Sequence, residues 1–251
     1  MSRENGWLPD YADRRDKPLA ATIDTEETLP ESRSLSFHVP FVLDQGGLGS
    51  CVAHSILYAT MVNDAANGRR IMPFSRLFAY WHSRNQHGDA SNNTGTYIRT
   101  CIKVLNTLGR PPEAEWTYDG EPKSNKFKQK PPLSVMLSAF DRRKADYSRI
   151  DADGDERIKQ FKASICNKRP VVFGTGISSA FAEGNTPSGG VWRKPSSTIG
   201  GHAMCAVGYN KSGAVIVNSW GLLWGDNMGY ATLEWDWIAD PSTRDLWSIA
   251  L

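Results

Sequence analysis

The stretch Gln45-Gly46-Gly47-Leu48-Gly49-Ser50-Cys51-Val52-Ala53-His54-Ser55-Ile56-Leu57-Tyr58-Ala59-Thr60-Met61 decides how this chain is read, because in it a glycine-rich loop runs straight into an apolar, helix-forming segment. Closely spaced glycines let the backbone bend tightly and leave room for a ligand to approach. Beyond Cys51, Val52, Ile56, Ala59 and Val62 recur at helical intervals, and Ala53, Leu57 and Met61 fill a second apolar row. That pattern predicts a helix buried on most sides. A cysteine in its first turn meets unsatisfied amide hydrogens and the positive end of the helix dipole, and both favour thiolate over thiol. Cys51 is therefore a candidate nucleophile; the plainer alternative is a small apolar core residue that happens to carry sulfur.

A nucleophile needs a base, and the second half of the chain offers one. From residue 170 the pattern changes to strands: Pro170 to Gly174, Gly190-Val191-Trp192, then Ala203 to Tyr209 and Ala214 to Val217 joined by Asn210-Lys211-Ser212-Gly213 as a hairpin. His202 and Asn218 stand at its open end. Folding the hairpin about its midpoint puts position 218 opposite 205, within three residues of 202, so a bulge or stagger brings the two side chains together. An imidazole oriented by a neutral amide suits a thiolate: the amide fixes tautomer and ring direction, and the imidazolium pairs with the sulfur. Singly, His202 also reads as a hydrogen-bonded core histidine and Asn218 as a turn residue.

Gln45 with Cys51, Gly201-His202-Ala203, Asn218-Ser219-Trp220-Gly221 and Trp224-Gly225-Asp226-Asn227-Met228-Gly229-Tyr230 together resemble the papain-like cysteine peptidases, over roughly residues 40 to 235. The resemblance implies an α+β, two-lobed fold, with a helical lobe carrying the nucleophile facing a β-rich lobe carrying the histidine and asparagine. It implies Cys51 as nucleophile, His202 as base and then acid, Asn218 as orienter of the ring, and Gln45 as a side-chain donor to the oxyanion. It also implies Gly95, Gly201 and Trp220 as substrate-contacting positions, with Trp220 covering the His202–Asn218 hydrogen bond. The expected activity is peptide-bond hydrolysis through an acyl-enzyme on Cys51. Acyl transfer or side-chain deamidation at the same site, or a binding module that keeps the cleft without turnover, are the competing readings. The chain departs from the family in having Val52 after the nucleophile, where an aromatic is usual. Leu48 stands where many members have a cysteine, which removes a disulfide and fits a reducing compartment. The long helical inhibitory pro-region of many relatives has no counterpart in residues 1 to 36.

The rest of the 251 residues sets bounds. With 40% hydrophobic and 22% charged residues and a net charge of +2, the composition is that of an ordinary soluble globular protein and points to no charged partner. Basic clusters at Arg14-Arg15 and Arg142-Arg143-Lys144 are broken by acids, so neither nucleic acid nor a membrane is expected as a partner; a peptide or protein substrate is, and oligomeric state is left open. No secretory signal is visible at Met1 to Trp7, which makes the cytoplasm the default location, with signal-less export or packaging in a virus particle open. The cysteines at 51, 101, 166 and 205 include no C-x-x-C, and His82, His87 and Asp89 have poor metal spacing, so no metal or cofactor is expected. The run Asp151 to Glu156 reads as a helix start with capping acids. Residues 1 to 36 are polar and proline-broken and read as an extended arm that limits access to the cleft; 37 to 125 read as a mainly helical lobe and 126 to 251 as a mainly β lobe.

Overall fold

The glycine loop and the helix after it are both present in the computed structural model, which describes residues 5–24, 28–139 and 146–250. Helix α1, Cys51–Ala66, begins at Cys51 itself, and every residue from Cys51 to Asn63 is buried, His54, Thr60 and Asn63 included. Each fully buried Val, Leu or Ile on it contributes roughly 1.5–3 kcal/mol. Helices α2, Arg76–Asn85, and α3, Ile98–Leu108, pack on it and on each other. Gly109 stops α3: its φ is +94°, and a β-carbon there would lie 1.8 Å from the carbonyl oxygen of Ala139. Two further helices are α4, Leu133–Ala139, and α5, Gly154–Cys166. The acids of the 151–156 run do begin α5, with Asp153 at its N-cap and Asp155 and Glu156 in its first turn. Helix α4 ends at Ala139; positions 140–145, with the Arg142-Arg143-Lys144 cluster, lie outside the described residues, and the chain is extended from Asp146.

The strands, in chain order, are β1 Trp7–Leu8, β2 Arg33–Ser34, β3 Thr96–Tyr97, β4 Asp146–Ile150, β5 Val171–Ile177, β6 Val191–Trp192, β7 Gly200–Tyr209, β8 Gly213–Val217, β9 Tyr230–Glu234 and β10 Arg244–Ala250. Eight of them form one sheet in the order β4-β10-β5-β7-β8-β9-β6, with β2 added along β7. Strand β7, buried from His202 to Tyr209, lies against α1, so the helix that presents Cys51 and the strand that presents His202 share one core. The architecture is α+β, with helices α1 to α3 on one side of the nucleophile and the sheet on the other.

The hairpin turns as its sequence predicts, through Asn210, whose side-chain oxygen accepts from the N–H groups of Ser212 and Gly213 at 2.8 and 3.1 Å. Its register holds one surprise. Gly208 and Tyr209 pair with Val215 and Ala214, but a bulge then shifts the ladder so that Cys205 faces Val217. Continuing that register one step puts Asn218 across from Met204 rather than Cys205. Because side chains alternate along a strand, Met204 and His202 share a face, and the bulge is what turns Asn218 toward the ring.

The polar arm is not a loose appendage. Trp7, Leu19 and Leu35 are buried, β2 extends the main sheet, and β1 pairs in parallel with β3. Arg99 on α3 and Arg149 on β4 both hold Asp16 of the arm, at 2.6 and 2.9 Å.

Candidate active site

Cys51, His202, Asn218 and Gln45 come together where α1 meets β7. Nε2 of His202 lies 2.8 Å from Oδ1 of Asn218, which makes Nε2 the protonated donor and Nδ1 the unprotonated nitrogen of the neutral ring. The backbone N–H of Ala203, the next residue, donates to the Sγ of Cys51 at 3.4 Å. Trp220 stacks on the imidazole with ring centres 4.2 Å apart and planes 24° from parallel. It belongs to an aromatic cluster with Phe181, Trp192, Trp224 and Trp237 that keeps water off this wall. Gln45 is fully buried and its side chain is fixed at both ends: Oε1 accepts from the hydroxyl of Ser219 at 2.7 Å, and Nε2 donates to the carbonyl of Leu48 at 2.7 Å.

Contacts from residues outside the motifs hold these groups in place. His54, one turn beyond Cys51, donates from Nδ1 to the Ser50 carbonyl at 3.0 Å and accepts at Nε2 from Arg76 at 3.1 Å. Burial and the neighbouring Arg76 cation hold its pKa well below the usual value, so it is a neutral structural histidine. Arg76 is paired with Glu113 and lies over the ring of Tyr118. The Tyr118 hydroxyl donates to the Gln45 carbonyl at 2.8 Å and lies 2.6 Å from the hydroxyl of Ser50. Tyr58 reaches from α1 to donate to the main-chain oxygen of Asn218 at 3.2 Å. Asn93 buckles the glycine loop, accepting from Gly49 N–H at 2.9 Å and donating to the Gly47 carbonyl at 3.1 Å. The helical period places His54 beside Cys51, but nothing in the sequence ties it to Arg76 and Tyr118.

The cleft is occupied by the chain's own arm. The N–H of Gly6 points at the Cys51 sulfur, and the carbonyl of Gly6 accepts from Thr96 N–H at 2.9 Å. The main-chain donor to the arm is thus on Thr96, one residue beyond Gly95. Gly95 and Gly201 line the two sides: a β-carbon on Gly95 would lie 2.3 Å from the Gly6 carbonyl oxygen, and one on Gly201 2.8 Å from the Trp7 ring. Roofed in this way, Cys51 has no exposed surface, and burial pushes its thiol up to about 11 despite hydrogen bonds from Ala203 and Gly6 that act the other way. The helix terminus alone predicts a thiolate; in this arm-covered form desolvation outweighs it.

Asp10 completes the contact. Its N–H donates to Asp245 at 2.7 Å, and its carboxylate accepts from the indole of Trp247 at 3.2 Å and from Arg99 N–H at 3.3 Å. Burial and the facing Asp245 carboxylate raise its pKa to about 6 against the partial opposition of Arg99. A carboxyl whose pKa is higher docked than free takes up a proton on docking, so docking strengthens as pH falls through about 6 and weakens as pH rises. Hydrogen exchange should find the amides of Gly6 to Asp10 about 10-fold better protected at pH 5 than at pH 7, after correction for intrinsic rates. Asp10→Asn should flatten that dependence.

Among the described residues, no group of three or more His, Cys, Asp or Glu is placed to hold a metal, and no helix is long and apolar enough to cross a membrane. All four cysteines are free.

A buried sulfur at a helix start thus lies beside an imidazole held by the asparagine that follows β8, with a buried glutamine six residues before the sulfur. The chain belongs to the papain family of cysteine proteases, whose model matches residues 29–238. An uncharacterized peptidase C1-like protein of Acanthamoeba polyphaga mimivirus is 35% identical over 234 residues, covering 88% of this chain and 71% of its own length. Xylellain, a cysteine protease from Xylella fastidiosa, is 29% identical and superposes with a TM-score of 0.84 over 100% of this chain and 98% of its own. Digestive procathepsin L 3 from the larval midgut of Tenebrio molitor, at 18% identity, shares the fold, with a TM-score of 0.71 over 94% of this chain and 74% of that one.

Proposed function

We propose that this chain hydrolyses peptide bonds through a thioester on Cys51. The observation that carries the reading is the contact between His202 Nε2 and Asn218 Oδ1 beside a sulfur already held by the N–H of Ala203. Nδ1 of His202 takes the Cys51 proton, and the thiolate attacks the substrate carbonyl carbon. Electrons move onto the carbonyl oxygen, which is met by the side-chain N–H of Gln45 and the main-chain N–H of Cys51. Collapse of this intermediate breaks the C–N bond, and the imidazolium gives its proton to the departing amine. Water, deprotonated by the same nitrogen, then releases the acid and restores the thiol. Gly95, Gly201 and Trp220 serve as cleft walls for the peptide.

Gln45→Ala should lower kcat/KM by about 10²-fold or more with KM little changed, because its donor acts where charge develops. The form described above is a covered one, and access of substrate requires residues 5 to 10 to lift. Mass spectrometry of a peptide mixture before and after incubation tests the activity. Backbone fragments that are absent with Cys51→Ala are expected; products with only a side-chain mass change would replace hydrolysis with deamidation.

A further inference from the structure

Tyr58 stands seven positions beyond Cys51 on α1, two turns along the same face of the helix, and it has no exposed surface. A buried phenol is costlier than a phenyl ring unless its hydroxyl finds partners, and this one is met on both sides. Its Oη accepts the main-chain N–H of Leu43 and donates to the main-chain carbonyl of Asn218 at 3.2 Å. Burial raises the pKa of the phenol above its ordinary value, so the hydroxyl keeps its proton and remains a donor across the neutral range.

What the hydroxyl grips is the peptide unit between Asn218 and Ser219. The other edge of that unit is the N–H of Ser219, which donates to Oδ1 of Asn218 at 2.8 Å, and the same Oδ1 meets Nε2 of His202 at 2.8 Å. A tilt of this peptide plane therefore moves the amide oxygen that orients the imidazole. The bond to Leu43 ties in the oxyanion side. Gly221 N–H donates to the Leu43 carbonyl at 2.9 Å and Gln45 N–H to the Ser219 carbonyl at 2.8 Å, a two-bond ladder around the Asp44–Trp220 bridge. One hydroxyl thus joins the helix that starts at Cys51 to the two segments that carry Gln45 and Asn218.

We propose that Tyr58 is a positioning residue for the reaction at Cys51: through the peptide unit it grips, it fixes the Asn218 amide and with it the direction of the His202 ring. The inference rests on the peptidase reading. Phenylalanine at 58 fills the same space but leaves the Leu43 N–H and the Asn218 carbonyl without this partner, and the peptide plane loses its restraint. A loosened Asn218 amide supports the imidazolium less, because an N–H donated by a cation makes the stronger bond. The cation then gives up its proton at lower pH.

The test compares the full-length protein with its Tyr58→Phe variant on a peptide that the unsubstituted protein cleaves, near-UV circular dichroism showing that both are folded. Both carry the same arm, so the ratio of their rates at each pH reads the change at residue 58. The variant should lose on the order of 10-fold in kcat with KM changed less than about 2-fold, and the basic limb of its kcat/KM profile should move to lower pH. In an Asn218→Ala background the same substitution should lower kcat by less than about 2-fold, since the group it acts through is gone. Unchanged kcat and pH limb in a folded variant, or the full loss repeated in the Asn218→Ala background, overturn the proposal and leave the peptidase reading standing. Absence of Cys51-dependent cleavage by the unsubstituted protein overturns both. If Tyr58→Phe does not fold, proton NMR of the unsubstituted protein decides: a slowly exchanging Tyr58 hydroxyl proton with a cross-peak to the Leu43 amide is expected, and a hydroxyl proton lost to exchange overturns the bridge.

Discussion

Replacing His202 by alanine is expected to lower peptide turnover by about 10⁶-fold, and adding the same change to Cys51→Ala is expected to cost nothing more. In the proposed mechanism thiol and imidazole share one proton transfer, so removing either disables the step that both serve. The geometry behind this expectation is the Nε2 contact to Asn218 at 2.8 Å, which commits one ring nitrogen and, in the proposed mechanism, assigns the other to Cys51. Asn218→Ala should be milder, since Trp220 still stacks on the ring and restrains its plane. Steady-state rates for the two single variants and the double variant decide the matter. Losses that multiply in the double variant would mean that the two residues act separately.

The second large effect is a gain. Gly6→Ala should raise the rate of Cys51 labelling by a small thiol reagent, and peptide turnover with it, by about 5- to 150-fold. That range corresponds to the 1–3 kcal/mol typical of an overpacked contact, which here falls on the covered state alone. A β-carbon on Gly6 would lie 1.9 Å from the carbonyl oxygen of Gly49, and Gly49 cannot retreat while Asn93 holds its N–H. The arm must give way, and Cys51 regains water and loses the burial that holds its thiol near 11. Unchanged labelling and turnover would show that the arm does not govern access.

The features that organise the chain were legible from one sequence because they are local. The helix opening at Cys51 follows from period and glycine punctuation, and the hairpin from an Asn-to-Gly turn between two apolar runs. The bulge between Ala206 and Gly208 was foreseeable only as a possibility, since nothing in Ala206-Val207-Gly208 marks a particular residue as the extra one. Contacts made across the fold were not legible. The Trp7 to Asp245 bond spans 238 positions, and a lone tryptophan in a polar segment carries no sign of its partner. The neutral His54 held by Ser50 and Arg76 was likewise hidden, as was the raised thiol of Cys51, because both depend on burial by segments distant in sequence. The helix dipole acts on the sulfur locally, whereas desolvation by Gly6 and its neighbours acts across the fold and is the larger effect.

A covalent acyl-enzyme on Cys51 is detected by the intact mass of the full-length protein, acid-quenched within its first turnovers on a peptide ester. An added mass equal to the acyl half of the substrate, mapped to Cys51 and lost at the rate of product release, is expected. Cleavage with no adduct on Cys51, or cleavage retained by Cys51→Ala, would contradict it.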